Sequence, residues 1–342
     1  VQRKLKIGVI GVGHLGRAHV RILSKLERVE FVGCFDVLPA KSQASANEFG
    51  VRAFDDAQKL IAECEAISLV VPTSEHHRCA APILSAGKHL FVEKPIASNV
   101  VQAQDLISMA ARAGVSLMVG HIERFNPAVT LLRSRITRPT FIEAHRLSQF
   151  NFRGLDVAVI HDLMIHDIDL CLHLVGSEIT DIQASAAAVV SERMDIANAR
   201  LTFASGCVAN LTASRISPKP MRKLRIFQPK GYISMDLGDQ TAEIYRLLDR
   251  EDAQQDTAGF STSVDYGDTG KKIVFTKPDI DRYDMLTAEL SSFVDSVLDN
   301  KPVAVTGDEA MRALRVAMDI ERIALAGLER LQHHPARGSS HE

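Results

Sequence analysis

A buried-strand pattern, Lys4-Leu5-Lys6-Ile7-Gly8-Val9-Ile10, runs directly into Gly11-Val12-Gly13-His14-Leu15-Gly16 and then into helical spacing. Three glycines at this spacing confine the chain to one kind of turn. Gly11 allows the sharp passage from strand to helix. Gly13 removes the Cβ that would hold a pyrophosphate away from the backbone, and Gly16 lets the helix pack close to the strand. The helix N-terminus then offers free N–H groups and a partial positive charge to an anion. His14 and Leu15 lie between the glycines and share this phosphate loop. A second apolar run, VEFVGCF, ends on Asp36, twenty residues past Gly16. A carboxylate at such a strand tip accepts hydrogen bonds from ribose hydroxyls. It would repel a 2′-phosphate, and Val37-Leu38-Pro39 supplies no arginine to hold one. The pattern predicts a dinucleotide site that takes NAD in preference to NADP.

The rest of the chain extends this start into a sheet. Strands are predicted at 5–10, 29–35, 66–71, 88–92 and 116–120, with helices near 14–26, 39–48, 56–63, 76–86 and 99–113. Alternation of this kind gives a doubly wound parallel sheet, the α/β class. Its ligand crevice lies at the carboxyl ends of the strands. Gly11, Asp36, Pro72, Glu93 and Gly120 all fall at such ends. From about residue 140 the texture changes to one helix, 158–175, followed by β-rich stretches at 179–190, 195–204, 207–215, 222–228, 231–236 and 241–247. These suggest an α+β domain with an open antiparallel sheet that could pair with another subunit. The polar segment 250–272 reads as a surface loop, and helices follow at 283–298 and 307–331. The division expected is 1–123 for the dinucleotide domain, 124–332 for a substrate-binding and oligomerisation domain, and 333–342 for a polar tail. The last helix is free to pack back on the first domain.

Composition narrows the partners. A net charge of −2 with no long basic run argues against nucleic acid. No run approaches the roughly 18 apolar residues that cross a bilayer, and no signal-peptide core is seen. Five scattered cysteines without a CxxC pair read as thiols in a reducing cytoplasm, and no metal site is expected.

Three stretches could carry chemistry. Glu93-Lys94-Pro95 closes the strand at 88–92, where Lys94 would reach toward the nicotinamide edge and polarise a substrate hydroxyl. The residue before a proline is biased to extended geometry, which would aim Lys94 into the crevice. A surface lysine in a loop is the equal alternative. In His161-Asp162-Leu163-Met164-Ile165-His166-Asp167-Ile168-Asp169, helical spacing puts Ile160, Met164, Ile168, Leu172 and Val175 on an apolar stripe. Asp162, His166, Asp169 and His173 then line up opposite. A carboxylate one turn from an imidazole raises its basicity and fixes its orientation, as a general base requires. A plain solvated face would give the same pattern. Third, His121, Arg124 and Asn126 follow the strand at 116–120. Arg124 can grip a phosphate or carboxylate with its fork. Asn126 before Pro127 is equally a helix cap, and Glu123 reads as an ion-pair partner. Near Pro72-Thr73, His76 reads as part of a helix start, and His77 is carried with Pro72 and Thr73 as a wall for the nicotinamide ribose.

Taken together, GVGHLG, the EKP at 93–95, the GH at 120–121 and the Asp-x-x-x-His at 162–166 resemble the glucose–fructose oxidoreductase/inositol dehydrogenase family over nearly the whole chain. The resemblance implies a dinucleotide domain before an open-sheet domain, usually in dimers or tetramers. It also implies that Lys94, Asp162 and His166 flank the substrate, and that the glycine loop, Asp36, Glu93 and Lys94 hold NAD. Within the family, GHIERFNPAV and HDLMIHDIDL are most similar to UDP-N-acetylglucosamine 3-dehydrogenases. Those enzymes oxidise the sugar C3 hydroxyl, and a PLP-dependent aminotransferase partner then installs nitrogen for lipid A or a related glycan. Many family members carry a glycine-rich stretch before the aspartate, where this chain has Asp156-Val157-Ala158-Val159-Ile160-His161. Two other readings stand beside this one: a dehydrogenase of a free polyol or hexose, and a non-catalytic NAD-binding scaffold.

Overall fold

A computed structural model describes residues 3–150, 157–249 and 259–333. The chain divides into two compact units. The first contains the residues through Phe125 together with Tyr283–Arg315, and the second contains Asn126–Arg282 and the residues from Val316. A single cut at 123/124 therefore does not describe the chain, because residues 283–315 return to the first unit.

The first unit is built on β1 (Leu5–Ile10), α1 (His14–Leu23), β2 (Val29–Phe35), α2 (Pro39–Phe49), α3 (Ala57–Glu63), β3 (Ala66–Leu69), α4 (His76–Ser85), β4 (His89–Glu93), α5 (Val100–Ala113) and β5 (Leu117–Gly120). The strands are parallel in the order β2-β1-β3-β4-β5. This is the doubly wound sheet expected. Parallel strands are covered on both faces, so they read as unbroken apolar runs, and Leu5, Ile7, Val9, Ile67, Leu90, Phe91 and Val92 are wholly buried. The strand order reverses between β1 and β3, which places a crevice at their carboxyl ends. The returning segment has clear physical causes. Phe293 packs edge-on against Phe91 with ring centres 5.8 Å apart. Arg28 donates to both Asp295 and Asp299, and Val119 N–H donates to Val305 O at 3.2 Å.

The second unit begins with α6 (Pro127–Leu132), β6 (Phe141–Leu147), a π-helical turn (Ile160–Met164) and α7 (Ile165–Val175). It continues through β7 (Ile179–Ala187), β8 (Ile196–Phe203), β9 (Val208–Ser214), β10 (Met221–Gln228), β11 (Gly231–Asp236), β12 (Thr241–Asp249), β13 (Phe260–Asp265) and β14 (Lys271–Lys277). The chain then forms α8 (Met285–Leu298), in the first unit, and α9 (Gly307–His333), which runs from the first unit into the second at Arg315/Val316. The sheet order is β13-β14-β12-β11-β10-β6-β9-β8-β7, antiparallel except for the β6–β9 pair. Helix α7 lies against β6 and β9. Five directly paired aromatic side chains cross five strands: Phe141, Phe227, Tyr232, Tyr245 and Phe275. Adjacent ring centres are 4.4–5.7 Å apart.

Two expectations fail here. The segment 250–272 was expected as a loop, yet residues 260–265 form β13; residues 250–258 and the tail from 334 lie outside the described residues. β13 is an edge strand exposed along its whole length, so it lacks the alternation that marks a half-buried strand. The helix at 158–175 is α-helical only from Ile165, because a π-helical turn precedes it.

Candidate active site

The glycine loop is constrained as its spacing implies. Gly11 has φ +89°, and a Cβ there would lie 2.3 Å from Val70 O. A Cβ on Gly16 would lie 1.9 Å from Gly11 O. Around Gly13, by contrast, a Cβ would meet nothing within 4 Å. The protein leaves space at the one glycine where a pyrophosphate must approach. No side chain caps the N-terminus of α1, so its first amides face that space uncontested. The side chains of His14 and Leu15 are exposed and do not line the adjoining cavity, so their contribution to this loop is backbone.

That cavity holds about 620 Å³ and is lined by Gly11, Gly13, Asp36, Leu38, Pro72 and Cys79, among others. The size suits a bound nucleoside. Asp36 is held in place from three directions. Its Oδ2 accepts from Val12 N–H and its Oδ1 from Leu38 N–H, each at 2.9 Å, and its own N–H donates to Ser42 Oγ at 2.8 Å. A carboxylate has about four acceptor sites, so two remain for ribose hydroxyls. Open space at Gly13, uncapped amides and an anchored carboxylate together fit NAD. Beyond the residues anticipated, α3 and α4 also supply Gln58, Ile61, Arg78 and Pro82 to the lining. Their side chains converge only through helix packing, so no local motif marks them.

His77 is not among the residues lining this cavity. Its Nε2 pairs with Asp105 Oδ2 at 2.8 Å, which turns the ring toward α5. Thr73 is half-buried outside the cavity lining, and its carbonyl accepts from Ser98 Oγ at 3.2 Å.

Lys94 stands half-buried at the end of β4, before a cis peptide to Pro95. Its turn is held by buried groups. His19 Nε2 lies 3.3 Å from Glu93 Oε1, while His19 Nδ1 meets Ser68 Oγ at 2.9 Å. Lys94 N–H donates to Glu93 Oε2 at 3.2 Å. Glu93, expected to hold the cofactor, is a buried residue, 8 % exposed, whose carboxylate engages His19 and its own turn. The ring of His76 bridges the same region, 2.8 Å from Pro95 O and 2.9 Å from Val71 O. Burial pulls the His76 pKa down against these carbonyls and Glu93, which favour the charged ring. His19 is a polar residue on the buried side of α1, and that misfit with the apolar periodicity is the sequence signal for its role.

The second unit carries Asp162 in the π-helical turn and His166 in the first turn of α7, both half-buried. Single π turns inside helices are frequent at functional sites. His161 Nε2 meets Glu321 Oε2 at 2.9 Å, and Val159 N–H donates to Met194 O at 3.0 Å. Arg215 donates to Val157 O and to Met194 O. Asp156, part of the stretch that departs from the family pattern, lies outside the described residues. The plain solvated face that the spacing also allowed does not form. Asp169 is 1 % and Asp167 3 % exposed, while Leu172 and Val175 of the supposed apolar stripe are half-exposed. Arg146 explains Asp167: its Nε and Nη2 donate to the two carboxylate oxygens at 2.9 and 2.8 Å.

The expected substrate grips have buried side chains, and Arg124 and Asn126 are engaged within the protein. Arg124, with 5 % of its side chain exposed, donates to Glu309 Oε1 at 2.8 Å. Burial opposes charge on Glu309, but hydrogen bonds from Arg124 and Thr306 prevail and hold its carboxyl at about 2. Asn126 is a helix cap: its Oδ1 accepts from Ala128 N–H at 3.2 Å and its Nδ2 donates to Leu237 O at 2.9 Å. His121 is 1 % exposed and presents no free surface. Among the described residues, no group of three or more His, Cys, Asp or Glu side chains is placed to hold a metal ion. Among them, too, no helix is long and apolar enough to cross a membrane.

Comparison with known proteins agrees with this geometry. Residues 5–121 match the oxidoreductase family with an NAD-binding Rossmann fold, and residues 128–234 match the GFO/IDH/MocA C-terminal domain. UDP-N-acetylglucosamine 3-dehydrogenase from Acidithiobacillus ferrooxidans is 36% identical over 95% of this chain and 99% of its own. A solved structure of that enzyme superposes with a TM-score of 0.85 at 35% identity, over 95% of this chain and 99% of the other. Myo-inositol 2-dehydrogenase from Thermotoga maritima is 24% identical over 91% of this chain and 93% of its own. The chain belongs to the GFO/IDH/MocA family and is an NAD-dependent oxidoreductase acting on CH–OH groups.

Proposed function

We propose that this chain oxidises the C3 hydroxyl of a UDP-N-acetylhexosamine. The observation that carries the reading is likeness along the whole length of a UDP-N-acetylglucosamine 3-dehydrogenase, 36% identical and covered to 99%. It is joined by an intact Lys94, Asp162 and His166. His166 takes the proton of the C3 hydroxyl, and Asp162, four residues before it, orients the ring. Lys94 stabilises negative charge growing on the same oxygen. Bound NAD supplies the hydride acceptor. The glycine loop and Asp36 hold the dinucleotide through its pyrophosphate and adenosine ribose. Arg124, already engaged by Glu309, has no part in gripping the diphosphate. The 3-keto product suits a PLP-dependent aminotransferase acting next, in the cytoplasm, toward lipid A or a surface glycan. The half-exposed aromatic row of the open sheet is where we place subunit association into dimers or tetramers.

The test is absorbance of reduced nicotinamide with purified protein, NAD and UDP-N-acetylglucosamine, with and without a trap for the keto product. Reduction that needs the nucleotide sugar and fails with NADP supports the reading. Reduction driven by myo-inositol or a free hexose, with no competition from uridine diphosphate, replaces the substrate and keeps the reaction class.

A further inference from the structure

The pattern of β6 calls for an apolar residue at position 146. Ile142 and Ala144, at alternate positions on its buried face, are 0 % and 1 % exposed. The chain places an arginine there instead, 4 % exposed, with its fork on Asp167 of α7. Replacing a buried ion pair by apolar side chains of similar volume is often neutral or stabilising. Stability alone therefore does not account for the pair. Helix α7 supplies a reason. Ile165, Ile168, Leu170 and Cys171 are all fully buried, and Asp167 and Asp169 are buried as well. At about 100° per residue the four apolar positions spread over roughly 220° of the helix circumference. Apolar packing spread over so wide an arc does little by itself to select one rotation about the helix axis. The π-helical turn before it removes the simple helical register that would otherwise carry the phase over from Ile160. A planar two-bond fork between β6 and Asp167 fits one rotation only. At that rotation His166 and His173 occupy the half-exposed flank.

We propose that the buried Arg146–Asp167 fork is a positioning device that sets the rotation of α7 and so holds His166 at its working angle. The idea rests on the reading of His166 as the base, and neither residue of the fork touches the reacting atoms in it. Arg146 and Asp167 lie in the second unit, and the glycine loop and Asp36 in the first.

The experiment compares Arg146→Met/Asp167→Leu with His166→Ala, using NAD and UDP-N-acetylglucosamine as the probe. The double variant removes both charges of the fork together, so neither is left without the other. It is expected to melt near the parent and to bind NAD with the parent's affinity. Its kcat should fall on the order of 10-fold to 10²-fold, as misplacement of a reacting group by about 1 Å does. The primary deuterium isotope effect from sugar labelled at the oxidised carbon should rise as chemistry becomes rate-limiting. A purely structural role would move the melting temperature and the active fraction without moving the isotope effect. If the double variant does not fold, Arg146→Lys carries the test. It keeps the charge without the planar fork, and a lower kcat with a larger isotope effect is again expected. Full kcat and an unchanged isotope effect in a folded variant, beside an inactive His166→Ala, overturn the positioning role alone. Full turnover in His166→Ala overturns the base assignment, and the positioning role with it.

Discussion

The two units hold their functional atoms by different means. In the first, the site is made largely of backbone. Gly11 and Gly16 are fixed by close approach to Val70 O and Gly11 O, and Asp36 is gripped by the amides of Val12 and Leu38. In the second, Asp162 and His166 ride on a helix secured by side-chain charge: Arg146 on Asp167, His161 beside Glu321, and Arg215 on Val157 O. A site built of amides at strand ends moves only if the sheet moves. A site carried on charged side chains depends on partners far away in sequence, and replacing one partner leaves the other buried. Dinucleotide binding should therefore respond to substitutions within the loop, and turnover to substitutions well away from the reacting groups.

The largest effects should separate the two units at their reacting groups. Lys94→Met and His166→Ala should each lower kcat on the order of 10²-fold or more, the usual contribution of a positioned acid or base. NAD affinity measured by fluorescence quenching should hold in His166→Ala. Near-normal turnover in both variants would remove the assigned roles.

The glycines sharpen the comparison within the first unit. Gly16→Ala drives a Cβ against Gly11 O at 1.9 Å, so both the melting temperature and NAD binding should fall. Gly13→Ala meets no protein atom within 4 Å, so its melting temperature should hold while NAD affinity falls on the order of 10-fold, as an added methyl meets the pyrophosphate. Equal losses of stability in the two variants would contradict the assignment of Gly13 to the ligand.

A smaller effect tests the reassignment of Arg124. Arg124→Met should lower thermal stability by about 1–3 kcal/mol, because Glu309 is left half-buried without its main partner. The Michaelis constant for the sugar should not change. Glu309 titrates in the folded protein at about 2, below the ordinary 4.5. Its contribution is therefore fully present above about 4.5 and is lost as pH falls toward 2. Acid unfolding of Arg124→Met should show a shallower decline through that window. A raised Michaelis constant with unchanged stability would restore Arg124 to the substrate.

The first unit was legible because its requirements are local. Gly11, Gly13, Gly16 and Asp36 each meet a demand made by neighbours in the same turn or at the tip of the next strand. The second unit hid its logic. Helical spacing allowed a solvated face through Asp169, and it says nothing of Asp167, whose partner Arg146 lies 21 residues upstream in another element. Arg124 read as free because Glu309 lies 185 residues away. The line from Asp162 to His173 assumed an unbroken α-helix, and a π turn leaves no periodic signature. The pairing of His77 with Asp105 left no local mark either, because Asp105 belongs to another helix. β13 escaped because an edge strand exposed on both faces needs no apolar alternation.

The central claim is hydride removal from C3 of a nucleotide sugar. It is tested most directly with UDP-N-acetylglucosamine carrying deuterium at C3 alone, followed by mass analysis of the reduced cofactor. The account predicts that the reduced NAD carries the deuterium and that the sugar product has lost it. Reduced NAD without the label, formed while the sugar keeps its deuterium, would contradict it.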